Sequence, residues 1–179
     1  GKMAVDLGTM GADAERTEAS FVRMAGGAEE AAAMLSGLKS ATMGAKSEIE
    51  LMEGATTLMA LGFGDSAEEL GEIARNVELL GGRFGGTMQT FQLMMSNDSL
   101  MRIDSFGIGV EEATERIDEF KAAGMDAGEA FDTAVLELMS EKAAQLGGNM
   151  DDSRLAIDRF TASIKDLKTE LGQALAPMI

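Results

Sequence analysis

Apolar residues recur along this chain at helical rather than strand spacing. From Asp13 onward, Phe21, Ala25, Ala28, Ala32, Leu35 and Leu38 step by three or four, which puts them on one helical face. Much of that face is Ala, so a neighbouring helix can approach closely, and Gly26-Gly27 sits where the pattern can bend. Thr42-Met43-Gly44 breaks the period. Ser47-Glu48-Ile49-Glu50 then reads as an S-x-x-E capping box, in which hydroxyl and carboxylate satisfy each other's backbone amides. It opens a helix to about Leu61, closed by Gly62-Phe63-Gly64. Ser66-Ala67-Glu68-Glu69 repeats the box, and Leu70, Ile73, Val77 and Leu80 follow as one stripe.

Gly81-Gly82 and Gly85-Gly86 punctuate the chain before a short apolar helix, Thr87 to Met95, carrying Met88, Phe91, Leu93, Met94 and Met95. Asn97-Asp98-Ser99 starts a short turn over Leu100 to Asp104, and Phe106-Gly107-Ile108 is a tight connector. Val110, Ala113, Ile117 and Phe120 mark a helix that stops at Gly124. Asp126-Ala127-Gly128-Glu129 begins another, with Phe131, Ala134, Val135, Leu138, Met139 and Leu146 inward and Gly147-Gly148 closing it. In the last helix, from Asp151, the apolar positions Ile157, Phe160, Ile164, Leu167 and Leu171 recur at helical spacing. Asp151 and Asp152 at its start, with Lys165 and Lys168 further on, suit the helix dipole.

These segments predict an all-α fold, a multi-helix bundle of about seven short amphipathic helices joined by Gly-rich turns. Short joints bring successive helices side by side. Residues 1–12 show no clear period and read as an irregular N-terminal segment. Residues 13–95 read as one helical subdomain and 96–179 as a second. No internal period of 20–50 residues repeats, so a solenoid is not expected.

Composition sharpens this picture. Aromatics are 4%, all Phe, while Met occurs 15 times and Pro once among 179 residues, a balance tilted toward helix and away from strand. The net charge of −16 repels nucleic-acid phosphates and anionic headgroups, so neither nucleic acid nor membrane is expected as a partner. No apolar run reaches the roughly 18–20 residues of a membrane span. Both ends of the chain read as cut from something longer.

Candidate chemistry is sparse. Without Cys or His the chain lacks thiol chemistry and the commonest general base and metal ligand. Gly62-Phe63-Gly64-Asp65-Ser66-Ala67 matches G-x-G-x-x-A, but a dinucleotide site needs a strand before it, and here a helix is expected. Gly81-Gly82-Arg83-Phe84-Gly85-Gly86 lacks the Lys-Ser/Thr of a P-loop and reads as a flexible interhelical joint. The pairs Glu29-Glu30, Glu68-Glu69, Glu111-Glu112 and Asp151-Asp152 suit helix starts or solvated faces, and no pair stands out as an acid/base couple. No catalytic, metal or cofactor-binding residue is therefore nominated. The methionines of the centre, among them Met52 and Met59, leave two readings. They form a soft core, or Met88, Phe91, Met94, Met95 and Met101 form an adaptable surface that binds partner helices.

Two passages carry a resemblance. Ser99-Leu100-Met101-Arg102-Ile103-Asp104-Ser105-Phe106-Gly107-Ile108 resembles a passage of phage and prophage tail tape-measure proteins that ends in F-G-I. Gly124-Met125-Asp126-Ala127-Gly128-Glu129-Ala130-Phe131-Asp132-Thr133-Ala134-Val135 resembles their G-M-x-x-x-E-A-F-x-x-A-V helix start. Gln145-Leu146-Gly147-Gly148, Asp151-Asp152 and the run from Asp166 through Gly172 to Ala176-Pro177 follow in similar order. The resemblance covers roughly half the chain well. It implies a virion structural protein that sets tail length, takes part in tail assembly and leaves ahead of the DNA. Tail tube subunits and tail assembly chaperones are the partners it implies, with self-association as a further expectation. The location it implies is the virion tail, and the host cytoplasm during assembly. Some relatives of that kind carry muralytic domains, but no such motif is visible here. A ruler favours continuous helix, whereas these helices are short and Gly-jointed, so the chain is expected to be a folded module rather than the measuring stretch. The competing expectation is a stand-alone helical adaptor or effector that binds partner helices through a Met-rich surface.

Overall fold

The computed structural model describes residues 2–64 and 66–146, together with Asp166, Thr169, Glu170 and Gln173; for residues 2–10 it describes the backbone alone. The described residues form seven α-helices, one 3-10 turn and no strand: α1 (Lys2–Ala25), α2 (Ala28–Ala41), α3 (Glu48–Ala60), α4 (Ala67–Phe84), α5 (Met88–Ser96), the 3-10 turn (Ile103–Phe106), α6 (Val110–Ala122) and α7 (Ala127–Gln145). The all-α bundle expected from the pattern is the architecture found. The last expected helix, from Asp151, lies largely outside the described residues.

The chain divides into two compact units, residues 1–71 with 151–179, and residues 72–150. This differs from the expected division at 95/96, and α5 falls in the same unit as Phe106, whose ring Phe91 meets. The N-terminal segment also differs from expectation: α1 starts at Lys2 rather than after residue 12.

In the first unit α1 packs on α2 and α3, and α2 packs on α3. Their contact faces supply Ala14 and Phe21, then Ala31, Met34 and Leu38, then Leu51, Met52, Ala55 and Leu58, all buried. The face drawn from Phe21 through Leu38 is not continuous. Gly26 and Gly27 adopt left-handed φ values of 97° and 154° and end α1. The break resets the phase, so α2 buries Ala31 and Met34 while Ala28 and Ala32 face solvent. The small residues of α2 do permit close approach. A Cβ on Gly37 would stand 2.7 Å from Ala67 Cβ, and one on Gly71 would stand 2.8 Å from Ala41 Cβ.

The capping box at Ser47 is formed: Glu50 N–H donates to Ser47 Oγ at 3.4 Å and Ser47 N–H donates to Glu50 Oε2 at 3.1 Å. A distant carboxylate reinforces it, since Glu48 N–H donates to Asp166 Oδ1 at 2.9 Å. Lys39 closes the cluster with a 2.7 Å ion pair to Glu48, whose hydrogen bond holds the Lys39 ammonium above its ordinary range. Burial pushes the Asp166 carboxyl up, against the opposing pull of the Glu48 amide.

In the second unit α6 packs on α7. Arg116 ties the two together. Its guanidinium donates to Glu137 Oε2 at 3.1 Å and to both oxygens of Glu141 at 3.1 and 3.3 Å, and lies 3.7 Å from Glu119 of its own helix. The core is filled by Phe91, Met94 and Met95 of α5, Ile103, Phe106 and Ile108 around the 3-10 turn, and Ala130, Phe131, Ala134, Val135, Leu138 and Met139 of α7.

Candidate interaction surface

The centre of the second unit is built from α5, the following loop and the 3-10 turn. Thr87 caps α5, its Oγ1 accepting from Thr90 N–H at 3.1 Å. Phe91, Met94 and Met95 lie at i, i+3 and i+4 and are 0, 2 and 3% exposed, so they form core. The Phe91 and Phe106 rings meet edge to face at 6.3 Å. The 3-10 turn begins at Ile103, three residues later than the expected Leu100, because Arg102 adopts a left-handed φ of 73° and starts it there.

The glycine string 81–86 is not a loose joint. Gly81 and Gly82 lie inside α4, and only Gly85 and Gly86 interrupt the helices. Gly86 N–H donates to Ser105 O at 2.9 Å, and a Cβ on Gly86 would meet the Phe106 ring at 2.6 Å. Gly107, at φ 74°, has the Phe84 ring where a Cβ would project. Both glycines are required by close approach, which sequence spacing alone does not reveal.

Of the five residues nominated for partner binding, the structure brings Phe91, Met94 and Met95 together inside the unit. Their burial removes them from any partner surface in this folded state. Met88 is half-buried and Met101 is 75% exposed. The exposed apolar residue of α5 is Leu93, at 59%. It stands two positions from Phe91, where a helix turns away from the buried stripe. Leu93, Met94, Met101, Gln89, Asn97 and Arg102 are among the residues lining an open groove of about 460 Å3. The sequence reading found Met101 but missed Leu93 and Arg102 as members of a surface. The signal for Leu93 was its phase against Phe91, Met94 and Met95.

Charge gathers differently at the start of α7. Asp126 caps the helix, its Oδ1 accepting from Gly128 and Glu129 N–H at 3.0 and 3.1 Å. One turn on, Asp132 has an Oδ1 that is buried without a hydrogen-bond partner. Burial, then the nearby Asp98 and Asp126 carboxylates, push the Asp132 carboxyl up to about 6.

The string 62–67 follows α3, so the strand that a dinucleotide fingerprint requires is absent from its place. Among the described residues no three of His, Cys, Asp or Glu are grouped to hold a metal ion. No helix among them is long and apolar enough to cross a membrane. The fold thus defines a class: an all-helical bundle, seven α-helices without a strand among the described residues. No protein-family model, no curated protein and no solved structure matches the chain.

Proposed function

We propose that this chain is a structural module of a phage-type tail tape-measure protein, acting by helix packing and partner binding. The observation that supports this reading is where the two resembling passages fall. In the first, Ile103, Phe106 and Ile108 are core, Arg102 starts the 3-10 turn and Gly107 makes room for Phe84. In the second, Gly124 ends α6 at φ 103°, Asp126 caps α7, and Ala130, Phe131, Ala134 and Val135 are core. Residues shared with a family through such positions specify a scaffold rather than a reaction. On this reading the partners are tail tube subunits and tail assembly chaperones. The longest described helix, α1, has 24 residues, about 36 Å at a rise of 1.5 Å per residue. A module of this kind organises or docks, and continuous helix elsewhere does the measuring.

The test is an in-frame deletion of the region coding for residues 72–146 in the phage or prophage that encodes it. Missing, mis-sized or non-infectious tails are the expected result. Tails of unchanged length with full infectivity would overturn the reading, as would a gene lying outside any tail-structural cluster.

A further inference from the structure

We infer that the groove between the outer face of α5 and the loop 99–102 is a docking site for one amphipathic helix of a partner protein, with a carboxylate beside its apolar face. Three observations converge on it. Met101 and Leu93 are the two most exposed large hydrophobic residues among those described, at 75 and 59%, and both line this one groove. Large apolar side chains gathered in a concavity, rather than scattered singly, mark an interaction site. The loop that presents Met101 is held in a costly shape. Asp98 and Arg102 both take left-handed φ values, 46° and 73°, which non-glycine residues adopt at a cost and which concentrate at functional segments.

The third observation selects the occupant. The chain carries 31 acidic and 15 basic residues, yet the groove lining contains one arginine and no carboxylate. Arg102 has no ion-pair partner among the described residues. The nearby Asp98 turns away: its Oδ2 lies 4.0 Å from where a Cβ on Gly128 would stand, at the start of α7. Gln89, Leu93 and Asn97 follow one another at i, i+4 and i+8, a straight edge along α5 against which a helix can lie. An apolar stripe would cover Leu93 and Met101, and a Glu or Asp beside it would meet the guanidinium, which favours carboxylates through its forked donors. A second copy of this chain is the poorer occupant, because two bodies of net charge −16 repel.

This deepens the module reading by naming the surface through which a partner is held. Its experiment uses the purified chain of 179 residues, so its failure is separate from that of the phage deletion. The probe is a synthetic amphipathic helix with Leu at i, i+3, i+4 and i+7, one flanking Glu and a single Trp. The chain has neither Trp nor Tyr, so the emission reports on the peptide alone. Saturable binding is expected, weakened at least about tenfold by Leu93→Lys and by Met101→Lys, as for anchors of an interface. Arg102→Glu is expected to weaken the Glu peptide and favour its Lys counterpart. Circular dichroism checks that each variant is folded, and Met101→Gln replaces Met101→Lys should the latter unfold. No binding, or binding indifferent to both apolar replacements, overturns the proposal. So does a dimer in sedimentation that Leu93→Lys abolishes, because the occupant is then a second copy.

Discussion

Asp132 shows how one side chain links packing to pH. Its Oδ1 is buried unpartnered, and burial with Asp98 and Asp126 raises its folded-state value from 3.8 to about 6. The folded state therefore binds this proton more tightly than the unfolded chain. The sign follows: the group destabilises fully above about pH 6, and the penalty fades as pH falls toward its unfolded value. Asp132 is partly exposed, so solvent screening reduces the effect to about 1 kcal/mol. Asp132→Asn is expected to raise the urea midpoint at pH 7 and to flatten the rise otherwise seen between pH 7 and pH 5. Parallel profiles for variant and parent would show that the carboxylate is relaxed by solvent. At the same scale, Gly86 and Gly107 were visible as glycines but not as necessities. Their roles depend on Phe106 and Phe84, whose approach only folding produces.

Among the elements, capping was legible and phase was not always so. Ser47, Ser66 and Asp126 were marked as helix starts by their spacing to following acids or amides, and each side chain accepts from the expected turn. The stripe through Gly26-Gly27 failed because a helical wheel assumes a continuous helix. The α6–α7 pair gives a further expectation. Arg116 faces Glu119, Glu137 and Glu141, and the hydrogen bond it donates to Glu141 leads in holding its guanidinium firmly charged. Removing it leaves three carboxylates facing one another across the helix pair. Arg116→Ala is expected to cost about 1 kcal/mol at low salt, since the cluster is largely solvated. Restoring one neighbour's neutrality with Glu141→Gln should recover part of that loss. A thermal melt of the single and double variants measures this, and additive losses would deny the coupling.

At the scale of the whole molecule, charge is the dominant long-range term. A net charge of −16 on 179 residues opposes compaction through self-repulsion. Screening operates over about 10 Å at 0.1 M ionic strength. The melting temperature is therefore expected to rise by a few degrees as NaCl increases from about 10 mM, then to level off above roughly 0.2 M, when screening is nearly complete. A melting temperature that falls or stays flat across that range would mean that favourable ion pairs such as Lys39–Glu48 and those of Arg116 outweigh the net repulsion. The same charge gives the Arg102 groove its contrast with the rest of the chain.

Sequence by itself determined the helical class, most helix starts and stops, and the absence of Cys and His. These follow from local rules: propensity, 3.6-residue periodicity and the hydrogen-bonding needs of helix ends. Tertiary structure alone decided which methionines are core and which are surface. Met94, Met95 and Met101 are one residue type within eight positions, yet two are sealed and one is exposed. What separates them is the left-handed turn at Arg102 and the seating of Phe106 on Phe91, neither of which a periodicity can express. The division of the chain was likewise decided by packing. Asp166 reaches the amide of Glu48 across 118 residues of sequence, a contact that no local pattern encodes.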